Sequence, residues 1–467
     1  MVKSFLFIAM TALAGMAFGR LFYREMGKRF LLLSAFAVGT ALFGCLATLL
    51  FASGSVWALM RLVPIWFVSA IILALLSLYR KPPQRINLNH GVVTMVITVS
   101  FAFFFYKLAV IAMTTDSFVL ARLGQNLGFG RRDGGSALFS MWGPVIPLLQ
   151  ATAGGLGRYL FFEYQPLLGL SLLFLFADRL WVALKGNPLK TRLTIILLSL
   201  LALTLSPIFL HHFFYLHANL AAGLYLFLFI TLSGSYVENK KQFFLWPALL
   251  SLLTFSLICI EGTFFALLFL SYFIGKSHPD ARRRVSMALV PLLLGLWFIR
   301  LAFVIPTPHD WLSPVLAFEM GMGCLFYTVV LVLFSFTKSA QQVERLIRKL
   351  PWILAGALVI SFIVKPLLQW HSLLALLTAL FFTGEWGLVW YVIFAAIGWV
   401  FWQKIGKTET HYLGPCIVMY GCGLMLISPW MGGYDASSTG WANRLMFQIF
   451  PTLVFYLAVS MGKREPS

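Results

Sequence analysis

The stretch whose reading decides the fold is Thr114–Pro147, TTDSFVLARLGQNLGFGRRDGGSALFSMWGPVIP. It follows an apolar run, Gly91–Met113, and it is the longest segment that could not itself cross a bilayer. Asp116 places an acid at the membrane boundary, and an amphipathic helix pattern carrying Arg122 and Asn126 comes next. A Gly/Arg-rich turn, Gly128 to Gly135, then brings in Arg131 and Arg132, and Trp142-Gly-Pro leads into another apolar helix. Outward from this segment in both directions, the chain is a series of apolar spans joined by short loops.

Of 467 residues, 60% are hydrophobic and only 11% are charged. A soluble domain carries about 25% charged residues, so the composition describes an all-α, polytopic transmembrane bundle. The net charge of +20 does not point to nucleic acid. Most Lys and Arg fall in short loops between apolar spans, the pattern the positive-inside bias produces, so the partner is the lipid bilayer. The cysteines Cys45, Cys259, Cys324, Cys416 and Cys422 all lie in apolar runs and read as small fillers rather than metal ligands or bridges. The first apolar run, Ser4–Gly19, has its basic residues after it, the reverse of a secretory signal, and reads as a retained helix.

A span needs roughly 20 apolar residues, which yields about 13 to 15 spans here. They are Ser4–Gly19, Phe30–Ala52, Val56–Tyr79 and Gly91–Met113, then, beyond the long loop, Tyr164–Leu184, Thr191–Leu210, Phe213–Leu232, Phe243–Ile260, Gly262–Gly275 and Ser286–Pro306. The last are Val315–Thr337, Pro351–Gln369, Glu385–Trp402, Tyr412–Trp430 and Trp441–Met461, with Ser372–Thr383 expected along the interface. The chain thus divides into a four-span anchor region (1–113), an external loop with juxtamembrane helices (114–162) and the remaining bundle (163–467). Basic loops such as Arg20–Arg29, Lys185–Arg192 and Lys276–Arg284 alternate with loops poor in Lys and Arg, which puts the latter, and the central loop, on the external or periplasmic face of a cell membrane.

Charges inside spans cost roughly 2.5–3.5 kcal/mol each on insertion scales, so they mark partners or wet cavities. Arg61, Lys107, Arg300, Glu319, Lys365 and Arg444 all fall near outer span ends, and Asp116 and Glu261 sit at outer boundaries. Snorkelling accounts for any one of them; eight at one depth suggest a polar cavity open to the outer leaflet. Glu261 reads either as an acid on a broken helix or as an ordinary turn, and Asp178-Arg179 as a structural ion pair or snorkel at the opposite end. If one helix carried His211, His212 and His217, the third would lie about 240° and about 140° from the first two. No zinc pair at i, i+4 results, so no cofactor is expected and a divalent metal is not indicated. His309-Asp310 lacks a nucleophile elbow. Gly128-Phe-Gly130 lacks the context of a phosphate loop and reads either as a flexible turn or as backbone closing over an anion beside Arg131 and Arg132.

Several of these motifs together resemble the GT-C superfamily of membrane glycosyltransferases, in particular the protein O-mannosyltransferase and aminoarabinose transferase group. The run Asp116-Ser-Phe…Ala121-Arg-Leu-Gly-Gln-Asn126-Leu-Gly-Phe-Gly resembles that family's first external loop. Trp142-Gly-Pro144-x-x-Pro147 resembles its return into the membrane, Ile258-Cys-Ile-Glu261-Gly262 its Arg-x-Glu-Gly break, and Asn443-Arg444…Pro451 the opening of a late helix. Here the loop follows four spans rather than one, and Ser117 stands where many members carry a second acid. The resemblance implies transfer of a sugar from a polyprenyl-phosphate donor to a lipid, glycan or protein acceptor. It makes Asp116 the carboxylate base and Arg444 the anchor of the donor phosphate, with Arg61, Lys107, Arg300 and Lys365 as further phosphate candidates. Glu261 and His309 become helpers, and Arg122, Asn126, Arg131, Arg132 and Trp142 the acceptor loop. Two other readings stay open: an O-antigen polymerase or ligase of the envelope, and a lipid or sugar flippase, for which internal pseudo-symmetry and midplane charges would be expected.

Overall fold

A computed structural model describes residues 2–52, 61–80, 122, 124, 145–156, 163–214, 217–277, 285, 318, 322, 325–326, 329, 345, 347–402, 412–428, 434 and 440–462. The regular secondary structure among the described residues is helical, with no strand. In chain order the helices are α1 (Val2–Phe22), α2 (Lys28–Ala52), α3 (Leu62–Arg80), α4 (Val145–Gly155), α5 (Tyr164–Ala183), α6 (Leu189–Thr204), α7 (Pro207–Phe214) and α8 (Ala218–Asn239). They continue as α9 (Gln242–Ile258), α10 (Ile260–Lys276), α11 (Leu350–Val364), α12 (Pro366–Thr378), α13 (Val389–Trp402), α14 (Leu413–Ile427) and α15 (Trp441–Gly462). Among the described residues seven helices are long and apolar enough to cross a membrane, and α6 with α7 pass together although bent by 74°. The protein is therefore a polytopic helical membrane protein.

Helix α8 is the axis of the bundle. Its residues are apolar on every side, as expected of a helix surrounded by others, and nearly all are buried. It packs against α9, α15, α5, α10 and α14, and the Tyr225 hydroxyl donates to the Ala37 carbonyl of α2 at 2.7 Å. The outer helices show the opposite pattern. Leu193, Leu197, Leu198 and Leu201 of α6 and Ile71, Ile72 and Leu75 of α3 point outward, as lipid-facing residues do. The α1–α2 hairpin closes through small residues, since lipid supplies no hydrophobic drive between helices and close backbone approach must serve instead. A Cβ on Gly39 would lie 1.8 Å from the Thr11 carbonyl oxygen, and one on Gly15 would lie 1.9 Å from that of Ala35.

Three expected spans take a different form. Thr191–Leu210 is not one helix, because it breaks at Leu205-Ser206 where Pro207 starts α7. The following span begins at Ala218, not Phe213. Pro351–Gln369 breaks at Lys365, whose backbone (φ −128°, ψ 58°) leaves the helical region immediately before Pro366. A proline's ring clashes with a helical residue before it, and both breaks fall there. Pro247 and Pro451, by contrast, sit inside α9 and α15. Beyond Lys365, α12 continues into a π turn, Ala379–Thr383. Gln369 donates to the Met425 carbonyl near the end of α14, Ser428 Oγ lies 2.6 Å from Ser372 Oγ, and Asn443 at the start of α15 bonds Gly384. Gln369, Ser372 and Gly384 thus all meet residues at the end of the bundle where α14 stops and α15 starts.

The two ends of the bundle differ. One carries the Arg20–Arg29 turn and the Lys185–Arg192 loop, and there Arg29 pairs with the buried Asp178. Asp178 and Arg179 do not close on each other: Arg179 reaches Ser235 of α8 and lies over the Phe244 ring. Arg192 stacks on Trp181, 3.5 Å from the ring centroid, and donates to its carbonyl. The opposite end is where α5, α8 and α15 start and where the α6–α7 and α9–α10 chains break.

Candidate functional site

A helix break leaves amides and carbonyls without intrahelical partners, and the side chains that satisfy them at the non-basic end form a polar cluster. Between α7 and α8, Gln165 of α5 donates from Nε2 to the carbonyls of His212 (3.0 Å) and His217 (2.9 Å), clamping the connection from both sides. His217 caps α8, its Nδ1 accepting from the Asn219 amide at 3.2 Å. The break therefore brings together what a single helix would have kept apart: the His212 and His217 rings lie 4.9 Å apart, and His212 packs on Phe447 of α15 at 4.3 Å. His212 is buried, and its Nδ1 has no hydrogen-bond partner among the described residues.

Between α9 and α10, Cys259 is extended (φ −140°, ψ 157°). Thr263 donates across the break to the Ser256 carbonyl at 3.2 Å, and a Cβ on Gly262 would meet the Phe255 carbonyl oxygen at 2.5 Å. Glu261 is held in the first turn of α10. This supports the broken-helix reading of Glu261 over the ordinary turn. Gln448 of α15 reaches it, Nε2 lying 3.1 Å from Glu261 Oε1 and 3.3 Å from Asn219 Oδ1. Tyr420 of α14, stacked on Phe265 at 4.3 Å, donates to the Leu445 carbonyl at 2.8 Å and lies 3.1 Å from Gln448 Oε1. Tyr434, outside the helices, donates to the Leu424 carbonyl. Burial pushes its phenol above the ordinary range, and the Glu261 carboxyl adds to the shift.

Arg444 lies one turn before Gln448 on α15, on the same face, and is partly buried. Beside it Asn443 accepts from the Trp386 indole N–H and donates to the Gly384 carbonyl at 3.0 Å. Trp386 is fully buried, packed on Trp390, Phe447 and Phe450. The flanking Glu385 is left-handed (φ 60°), costly for a residue with a Cβ. Its carbonyl accepts from the Ile208 amide at 2.9 Å, and its carboxylate lies 3.9 Å from His211 Nδ1.

Of the residues singled out from the sequence, Glu261 bonds Gln448 in this cluster, and Arg444 lies one turn from Gln448 on α15. Arg61 is exposed at the head of α3, and Lys365 is exposed at the α11–α12 break. Arg122 is helical and exposed, and Gly124 packs so close to α4 that a Cβ would meet the Gln150 Cβ at 2.3 Å. Helix α4, inside the stretch expected as external loop, turns buried side chains toward α2, where Val145 fills the space over Gly44. Asp116, Lys107, Asn126, Arg131, Arg132, Trp142, Arg300, His309 and Glu319 lie outside the described residues. No group of three or more His, Cys, Asp or Glu side chains among the described residues could hold a metal ion. Sequence reasoning missed Gln165, Asn219, Gln448, Tyr420 and Trp386, and quoted Asn443 in a motif without giving it a role. Their signal was available: few amide side chains fall within apolar runs, and Asn443, Arg444 and Gln448 fall within six residues.

No protein-family profile, curated protein or solved structure matches the chain.

Proposed function

We propose that the protein is a membrane glycosyltransferase that moves a sugar from a polyprenyl-phosphate donor to an acceptor at the non-basic, external or periplasmic end of the bundle. The observation that carries this reading is the placement of Arg444, Glu261 and the paired imidazoles at one end of an apolar bundle, Glu261 and the imidazoles at helix breaks and Arg444 in the first turn of α15. A lipid-linked phosphate reaches such a site with its chain in the bilayer and its head at the boundary. Arg444 suits the phosphate because a guanidinium offers a planar pair of donors. Asp116 takes the proton of the acceptor hydroxyl. The acceptor oxygen bonds to the anomeric carbon as the carbon–oxygen bond to phosphate breaks, so the configuration inverts and the polyprenyl phosphate leaves with its electron pair. Lys107, Arg300, Arg61 and Lys365 are further donor-binding cations, His309 a helper, and Asn126, Arg131, Arg132 and Trp142 acceptor-loop residues.

The test is transfer from a panel of radiolabelled polyprenyl-phosphate sugars in membranes containing wild type, Asp116→Asn or Arg444→Ala. A general base contributes about 10²–10⁴-fold, so Asp116→Asn should lose that much turnover, and Arg444→Ala should weaken donor binding. Unchanged transfer in Asp116→Asn removes that base. Failure of the wild type to turn over any donor removes the reaction.

A further inference from the structure

The direction of the bond that caps α8 fixes where His217 carries its proton. The donor is the backbone amide of Asn219, 3.2 Å from Nδ1. A backbone amide can only donate, so Nδ1 presents its lone pair and the proton of the neutral ring belongs on Nε2. The backbone fits that role: His217 is extended (φ −148°, ψ 148°) and the helix runs from Ala218, as expected of an N-cap. The preferred caps are Ser, Thr, Asp and Asn, which keep their acceptor through the neutral range. An imidazole keeps its acceptor only until it takes a second proton.

That second proton has two local effects. It takes the acceptor away from the Asn219 amide, and it places a positive charge at the N-terminus of α8, the positive end of the helix dipole. His217 is 4% exposed, so water does little to hydrate the new charge. The consequences reach past the cap. The Asn219 side chain lies 3.3 Å from Gln448 Nε2, which in turn lies 3.1 Å from Glu261. The His217 carbonyl is one of the two that Gln165 holds, at 2.9 Å. We propose that His217 is a pH-sensitive cap. Neutral, it fastens the α7–α8 connection to the polar cluster at the non-basic end of the bundle; protonated, it lets the start of α8 go.

The charged and titratable groups around this end come from several elements: His211 and His212 of α7, Glu163 at the head of α5, Glu261 of α10, Arg444 of α15 and Glu385 before α13. The carboxylates favour an imidazolium, while Arg444 and a protonated His212, its ring 4.9 Å away, oppose one. Their balance sets the pH at which the proton binds; it does not change what the proton does to the cap. The stability that the cap supplies is full above the ordinary imidazole range, near about 6.5, and is lost as pH falls through that range. The inference stands without the transferase reading.

The experiment compares reversible unfolding of the whole protein in lipid at about pH 7.5 and about pH 5.5, one on each side of the imidazole range, for wild type and His217→Asn. Asn keeps a capping acceptor and does not titrate. On acidification the folded-to-unfolded ratio should fall roughly five-fold further in wild type than in the variant, the worth of one N-cap. Equal falls in the two overturn the proposal. A second measurement uses wild type alone: amide hydrogen exchange, corrected for its intrinsic pH dependence. At the lower pH the start of α8 should lose roughly five-fold in protection relative to the start of α9, where the Lys241 cap makes no side-chain bond. Unchanged relative protection also overturns it.

Discussion

Replacing Gly39 by alanine tests the claim that backbone proximity holds the α1–α2 hairpin together. The added Cβ would sit 1.8 Å from the Thr11 carbonyl oxygen and 2.6 Å from its carbon, where real Cβ contacts essentially never fall below 3.0 Å. The nearest atoms are backbone, which cannot rotate away, so the helices must separate by at least about 1.2 Å, the gap between those two distances. Thr11 is also the acceptor for the Trp66 indole of α3 at 3.1 Å, so moving α1 strains that bond as well. Overpacking of this kind costs about 1–3 kcal/mol, and we expect about 2 kcal/mol, a shift of roughly 30-fold in the folded-to-unfolded ratio. Gly15→Ala should cost a similar amount, since its Cβ would lie 1.9 Å from the Ala35 carbonyl oxygen. The double variant should cost less than the sum, because one separation of the helices relieves both clashes. The assay is reversible unfolding in lipid or detergent, with Gly356→Ala and Gly398→Ala as controls, since nothing lies within 4 Å of a Cβ at either position. In those helix interiors alanine should be neutral or stabilising. If Gly39→Ala behaved like the controls, the close-packing account of the hairpin would be refuted.

Three further outcomes are expected. Arg29→Ala should destabilise more than Asp178→Asn, because it leaves the buried Asp178 carboxylate without its cation, whereas Arg29 is half exposed and can be hydrated. With that exposure discounted, the loss is about 1–2 kcal/mol, below the range for a fully buried pair, and comparison of the two unfolding midpoints decides it. Trp386→Phe keeps most of the packing but strips Asn443 of its indole donor; we expect a loss of about 1–2 kcal/mol, and a larger one of about 3–5 kcal/mol for Trp386→Ala. Lys240, exposed and left-handed (φ 56°) at the end of α8, should accept glycine with a gain of about 1 kcal/mol. A fall in the melting midpoint of Lys240→Gly would contradict that.

Reading the candidate site from sequence succeeded where a single residue's cost is self-evident and failed where partners are remote. Glu261 and Arg444 stand out as charges in apolar surroundings. Gln448 does not, because an amide in a span is only mildly unfavourable and its meaning comes from Asn219 and Glu261, 229 and 187 positions away. The histidines show the same limit in another form. Their angular separation holds only on a continuous helix, and the break between α7 and α8 brings the His212 and His217 rings to 4.9 Å. Proline was an ambiguous signal: Pro207 and Pro366 begin new helices, while Pro247 and Pro451 are absorbed within α9 and α15. In a membrane bundle the freed carbonyl can be satisfied by neighbours, so the outcome depends on what packs beside it.

Composition alone determined that this chain lives in a bilayer and is helical, because an apolar backbone environment admits no unpaired amides and leaves the helix as the local solution. The basic loops likewise separated one end of the bundle from the other. Only tertiary structure decided which helix became the axis, where the spans break and which side chains meet there. Those choices rest on close approach between elements distant in the chain, such as Gly39 on Thr11 and Gln448 on Glu261. A local pattern cannot encode a contact whose energy exists only when both surfaces are in place.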